Sequence, residues 1–446
     1  MRRKLVMPFV AMLAIVAAAT GCSETVKEKE PVEIRFFLPS VEDSRFPLLV
    51  QQNQLYQSTV DNFHKANPHI TVKLEYITLV NNKFTEEDMY NLLQSEDPPD
   101  IYPVLSMSLL QKAYQDKLLL DLLPVQRMYG TKEIDIDKQI LDSATIDGQL
   151  LALPVSANPL FVLYHKKLFD AADIPYPQED WTWEQFQAIS KQLNGGPLLE
   201  YSPGSLNMLM AGTGKQIVSP GGDAAVGYLD SAEAVQTLRW LNDYYREVAG
   251  KEPAKSFVDL YDSFSKLQTG MFFYSYLNQL YIDGEIYDKN KEGNIAMASL
   301  PHFAGTKRAN PVDVSGYGIA KKSKHPQEAW QFLEYFALSA HENTKALADF
   351  YLSTSKSVAK ASGQNTDPIK KVPVGELKYA VKPMDSSLIS HAWTPELTAG
   401  FQALLTTEDK DIPAALHALA LKLDQELARL KAERDNEQGA AGSTRQ

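Results

Sequence analysis

Cysteine is almost absent from this 446-residue chain. Its single one, Cys22, cannot form an intramolecular disulfide, so a disulfide-stapled scaffold is excluded. A chain of this length buries enough core to need neither disulfides nor a structural metal. Histidine is also scarce: eight are scattered, and no two have the spacing of paired metal ligands. His341-Glu342 lacks the second histidine of an H-E-x-x-H zinc motif, and no G-x-S-x-G elbow, P-loop or GxGxxG fingerprint occurs. Asp288 to Gly293 (DKNKEG) suits part of an EF-hand loop, but position twelve is Ser299 where a bidentate Glu is needed, and the segment reads as a turn. No cofactor and no metal are expected. Positive charge is the minority, with 44 Lys and Arg against 56 Asp and Glu and a formal net charge of −12. That balance argues against a nucleic-acid partner. Beyond the N-terminus no apolar run is long enough to span a membrane.

The N-terminus carries an address. Met1-Arg2-Arg3-Lys4 is basic, and Leu5 to Ala19 follows without a charge, which is the pattern of a secretory signal. Ala19-Thr20-Gly21-Cys22 then resembles a bacterial lipoprotein box, with Ala19 where Leu is usual. The resemblance implies cleavage after residue 21 and a lipid on Cys22, which would hold the protein on a membrane face. A plain secretory signal with an incidental cysteine is the alternative. Residues 22–31 read as a polar tether, and loss of Arg2, Arg3 and Lys4 takes the net charge from −12 to −15.

The body starts as strand, helix, strand. Val32 to Leu38 (VEIRFFL) is rich in β-branched and aromatic residues, Gln54 to Ala66 has helical spacing, and Ile70 to Ile77 alternates. Further strands are expected at Ile101 to Val104, Leu150 to Val155, Leu160 to Tyr164 and Ile295 to Leu300. The fold class this implies is α/β with a largely parallel sheet. Thr182 with Gln185 makes a capping box, and Trp181 with Phe186 a hydrophobic staple. Asp230 with Glu233 reads as another cap. Pro326 and Pro413 open helices, the second with a leucine stripe from Leu416 to Leu430. Residues 436–446 read as a disordered tail.

Five segments in order resemble the family 1 extracellular solute-binding proteins, the maltose-binding-protein-like receptors of ABC importers. They are Val60 to Val72 (VDNFHKANPHITV); Pro99 to Tyr102 (PDIY); Gly148 to Pro154 (GQLLALP) with Leu163 to Phe169 (LYHKKLF); Trp181 to Phe186 (WTWEQF); and Ser315 to Ala320 (SGYGIA) leading to Pro326 to Leu333 (PQEAWQFL). The resemblance implies a two-lobed periplasmic-binding-protein fold of type II-like architecture, with hinge-linked α/β lobes and ligand in the cleft between them. The N-lobe would be 32–155 plus 304–350 and the C-lobe 156–303 plus 351–435. The chain would then cross near Val155–Asn158, Leu300–Ala304 and Phe350–Leu352.

The same resemblance implies binding without covalent chemistry. The protein would be a monomer on the outer face of the cell membrane that captures a small solute, a carbohydrate or oligosaccharide, and hands it to the importer's permease subunits. A peptide or polyamine ligand, or a sensor accessory that presents its ligand to a membrane kinase, are the alternatives. A sugar needs polar groups for its hydroxyls and an aromatic platform for its C–H face. The candidates at positions matching the family pattern are Ser40, Asp43, Tyr102, Asn158, Tyr274, Tyr276, Asp313, Tyr317 and Trp393.

Overall fold

The computed structural model describes residues 30–40, 47–77, 85–193, 199–249, 257–275, 294–368, 370–383 and 389–443. Two sheets organise it. The strands in chain order are β1 (Val32–Leu38), β2 (Ile70–Tyr76), β3 (Ile101–Val104), β4 (Thr145–Ile146), β5 (Gln149–Leu150), β6 (Leu153–Asn158), β7 (Phe161–His165), β8 (Met271–Tyr274), β9 (Ile295–Ala298), β10 (Asn310–Pro311), β11 (Asp313–Ile319) and β12 (Ala380–Val381). The larger sheet has the order β2-β1-β3-β11-β6, with β11 antiparallel to both its neighbours and the other strands parallel to one another. The smaller sheet, β8-β7-β9, is antiparallel.

Helices cover both faces of the larger sheet, as parallel sheets require. On one face Phe36 and Tyr317 pack under the helices Pro47–Ala66 and Pro326–Leu338, with Phe36 at 5.3 Å from Phe332 and 5.2 Å from Phe336, ring centre to ring centre. On the other face Phe37 stacks on Tyr102 at 5.5 Å, and the Tyr102 hydroxyl donates to the Met89 carbonyl of the helix Glu86–Gln94. The strands are accordingly apolar on both sides.

In the second lobe the helix Trp183–Gln192 begins as expected. Thr182 accepts from the Gln185 N–H, Gln185 accepts from the Thr182 N–H at 2.8 Å, and Trp181 packs on Phe186 at 6.0 Å. Thr182→Ala should lower the unfolding free energy of this lobe by about 1 kcal/mol. Urea titration followed by Trp fluorescence checks it, and an unchanged midpoint would mean that packing alone sets the helix start. The helix Ile412–Ser443 closes the lobe and buries Leu416, Leu419, Leu423 and Leu427.

Several expectations need correction. The residue that caps the helix Ala232–Tyr244 is Ser231, not Asp230; Asp230 instead accepts from the Gly227 N–H and pairs with His417. The final helix continues to Ser443 through the segment expected as a disordered tail, since its Glu, Gln and Ala residues favour helix. The EF-hand-like turn lies outside the described residues.

The lobe boundaries also shift. β6 stays in the first sheet as far as Asn158, so the first crossing is at Pro159–Leu160. Residues 353–354 do not leave the first lobe: Ser353 bridges to Ser156, and Thr354 donates from its N–H to the Val155 carbonyl at 3.2 Å. The free edge of β6 explains this, because its unpaired backbone groups need partners. Leu377 and Ala380 still belong to the first core, whereas Ile389 belongs to the second. Leu352 and Val374, however, pack with Phe161, Leu163 and Phe272 of the smaller sheet, so the third connection is the stretch from Leu352 to Val381, which touches both lobes. Among the described residues there are three apolar clusters, the third formed by Phe161, Leu163, Phe264, Phe272 and their neighbours on the smaller sheet.

Candidate functional site

The direction of the strands selects one end of the larger sheet. The C-terminal ends of β1, β2, β3 and β6 lie there together with the N-terminal end of antiparallel β11. The chain leaves for the second lobe from this end, and in open α/β sheets the carboxyl ends of strands are where ligands bind. Asn158 and Asp313 are direct partners across β6 and β11 at this end. Paired residues point to the same face of a sheet, so a carboxamide and a carboxylate stand side by side.

Asn158 is half-buried and Asp313 is exposed. Solvent reaches the Asp313 carboxylate, but protein closes around it on the other sides, and this desolvation raises its pKa above the ordinary carboxylate value. Leu105, just past β3, is 40% exposed at the same end. Its exposure has no signal in the sequence.

Other candidates are placed elsewhere. Tyr102 and Tyr317 are core residues, at 0% and 6% exposure, and Tyr317 packs edge-on against Phe36 at 4.8 Å. Tyr274 is equally buried, in a cluster with Phe161, Phe264 and Phe272. The larger sheet, covered on both faces, leaves only strand ends and connections for a ligand, and Tyr102 and Tyr317 lie within its strands, whereas Tyr274 ends β8 of the smaller sheet and is enclosed by aromatic side chains. Ser40 is also buried, and its hydroxyl donates to Asn53 at 2.7 Å, tying the end of β1 to the first helix.

Trp393 is half-buried against Phe401 at 6.0 Å. Its indole N–H is buried without an acceptor among the described residues. Asp43, Tyr276 and Cys22 lie outside the described residues. A cavity of about 490 Å³ lies between the second lobe and the crossing strands, lined by Asn207, Lys215, Tyr228, Pro311 and Lys382 among others. None of the expected ligand residues lines it.

The polar network beside the crossings was not expected. Asn310 is fully buried; its amide oxygen accepts from the Leu160 N–H at 2.9 Å, and its amide N–H groups donate to the Leu160 carbonyl at 2.7 Å and to Glu376 at 2.8 Å. Glu376, 3% exposed, also pairs with Arg308 at 2.5 Å. Burial pushes the Glu376 pKa up, against the pull of Asn310 and Arg308. The guanidinium of Arg308 lies 3.9 Å from the Tyr379 ring centre. The Asn310-Pro311 dipeptide reads only as a turn in the sequence, and nothing there couples it to residues 160 and 376. Among the described residues, no group of three or more His, Cys, Asp or Glu could hold a metal ion, and no helix is long and apolar enough to cross a membrane.

The profile of the family described as bacterial extracellular solute-binding protein matches residues 58–373. The chain belongs to this family. Among solved structures, this solute-binding protein is similar to an extracellular solute-binding protein from Staphylococcus aureus in complex with maltose, at 18% identity and a TM-score of 0.70, covering 90% of this chain and 100% of that one. It is similar to the sugar-binding protein MalE from Xanthomonas citri, at 16% identity and a TM-score of 0.69, covering 91% and 99%. It is also similar to the ABC substrate-binding protein Lmo0181 from Listeria monocytogenes in complex with cycloalternan, at 20% identity and a TM-score of 0.64, covering 90% and 100%. The two-lobed α/β architecture is that of these solute-binding proteins, and members of this family bind their solutes rather than transform them.

Proposed function

We propose that this chain is the lipid-anchored receptor of an ABC importer and that it captures a carbohydrate between its lobes and delivers it to a membrane permease. The observation that carries the ligand site is the pairing of Asn158 with Asp313 where the chain leaves the first lobe. A carboxylate can accept from two adjacent sugar hydroxyls, and a carboxamide can both donate and accept. A ligand hydroxyl would also give the buried Trp393 N–H its acceptor. The maltose and cycloalternan in two of the similar structures support a sugar. Cys22 would carry the lipid, and Asp43 and Tyr276 would add contacts from the connecting segments.

The test is a thermal-shift series on the chain from Ser23 with maltose, maltotriose, cyclic tetrasaccharides, spermidine and short peptides. A sugar at 100 times its Kd should add roughly 2.7 kcal/mol of stability. Asp313→Ala should then weaken binding by at least about tenfold, the loss of a hydrogen bond to a charged group. Because its pKa is raised, Asp313 should lose acceptor strength on acidification earlier than an ordinary carboxylate, and affinity should fall with it. Shifts with spermidine or peptides alone would overturn the sugar reading. Full affinity in Asp313→Ala would remove Asp313 from the site. Membrane retention of the Cys22→Ala protein would overturn the anchor.

A further inference from the structure

The connections between the lobes meet at one side chain. Asn310 ends the second connection, which starts after Phe303. Its amide closes on both backbone groups of Leu160, in the first crossing, much as a neighbouring strand would. Its backbone pairs in parallel with Ala380, in the third connection. Glu376 fixes the remaining amide hydrogen and pairs with Arg308, within the second connection. Asn310 also lies three residues before Asp313, while Leu160 lies two after Asn158.

We propose that Asn310, oriented by Glu376, is the positioning residue of the hinge. It makes the three connections pivot as a unit and holds Asn158 and Asp313 in register through opening and closure. The geometry suits this role and not simple core filling, because a buried amide with three good partners is satisfied in one arrangement only. Its replacement frees backbone groups in two connections at once. The hinge role stands on these contacts alone; its effect on sugar affinity rests on the ligand reading above.

The chain from Ser23 contains no cysteine, so two introduced thiols are unique labels. Met128 in the first lobe is 71% exposed and Leu421 in the second is 46% exposed. Spin labels on M128C and L421C report the interlobe distance by pulsed EPR, with and without maltose. Asn310→Ala should broaden the ligand-free distance distribution and weaken maltose binding by about tenfold, a typical coupling between a hinge and a site.

Asn310→Asp tests the same point without a cavity. At pH 8 it sets a second carboxylate against Glu376 and should broaden the distribution in the same way. The double variant N310D/E376Q relieves the charge repulsion and reverses donor and acceptor across that contact, but the carboxylate introduced at position 310 has no hydrogen for the Leu160 carbonyl, so the distribution should narrow only in part. A wild-type distribution in both single variants, whatever happens to Tm, overturns the proposal. If maltose fails to bind the unmodified protein, the sugar reading fails while the ligand-free distances still decide the hinge role.

Discussion

Gly316→Ala is expected to leave little or no folded protein. A Cβ at this position would sit 2.2 Å from the Leu153 carbonyl oxygen, 2.8 Å from its carbon and 2.9 Å from the Pro154 Cα. All three are backbone atoms of β6, so no side chain can move aside. The register between β11 and β6 already shifts between Ser315 and Gly316, and the strands approach closely there because Gly has no side chain. Relief requires β6 and β11 to part, which breaks the sheet where it leads into both crossings. We expect a loss of about 3 kcal/mol or more, the upper range for overpacking. Gly375→Ala is the matched control: its Cβ meets nothing within 4 Å, and its effect should stay within about 0.5 kcal/mol. Soluble yield and urea unfolding of the two variants compare them directly. Equal stability would mean that the strands separate at little cost.

Arg308→Met should destabilise by about 3–5 kcal/mol near pH 8, because it leaves the Glu376 carboxylate buried without its cation. The remaining charges nearby cannot substitute. Glu179 lies 3.7 Å from Arg308 and adds negative charge, while Lys378 is committed to Glu179 at 3.2 Å. The pH dependence follows from the direction of the Glu376 shift. Its folded pKa lies above the ordinary value of 4.5, so the folded state binds the proton more tightly than the unfolded one. Its stability contribution is therefore full below 4.5 and is lost as pH rises through the folded value. Without Arg308 the folded value rises further, and the variant should recover part of its loss between pH 8 and pH 5. Adding E376Q should recover stability at pH 8 as well. A loss below about 1 kcal/mol, flat with pH, would mean that water reaches the pair and screens it.

The parts of the fold that were legible in the sequence are those fixed by near neighbours. The Thr182–Gln185 box and the Trp181–Phe186 staple span a few residues, and both form as expected. β1 and β3 also match their expected bounds, since apolar runs between turn residues identify them. The tyrosines were misplaced for a different reason. Alternation shows that Tyr102 and Ile101 face opposite ways, but not that helices cover both faces. Asn158 and Asp313, named from the family pattern, stand at strand ends, where a side chain escapes that cover. Arg308, Asn310 and Glu376 were missed because their partners are distant in sequence; Asn310 and Leu160 are 150 residues apart. A buried polar cluster leaves no periodic trace in any one of its segments.

The place of β11 in the larger sheet governs when the first lobe can form. Its two partners are joined to it only over long stretches of chain, about 210 residues from β3 and about 160 from β6. During synthesis β3 and β6 emerge early and face each other across a gap one strand wide. The gap cannot close until the smaller sheet and the helices up to residue 265 have followed and β11 arrives. Until then both edges stay open and the aromatic layer of Phe36, Phe332 and Phe336 lacks its last members. The first lobe thus stays unfinished through most of synthesis, and the young chain must be kept from pairing its open edges with other chains.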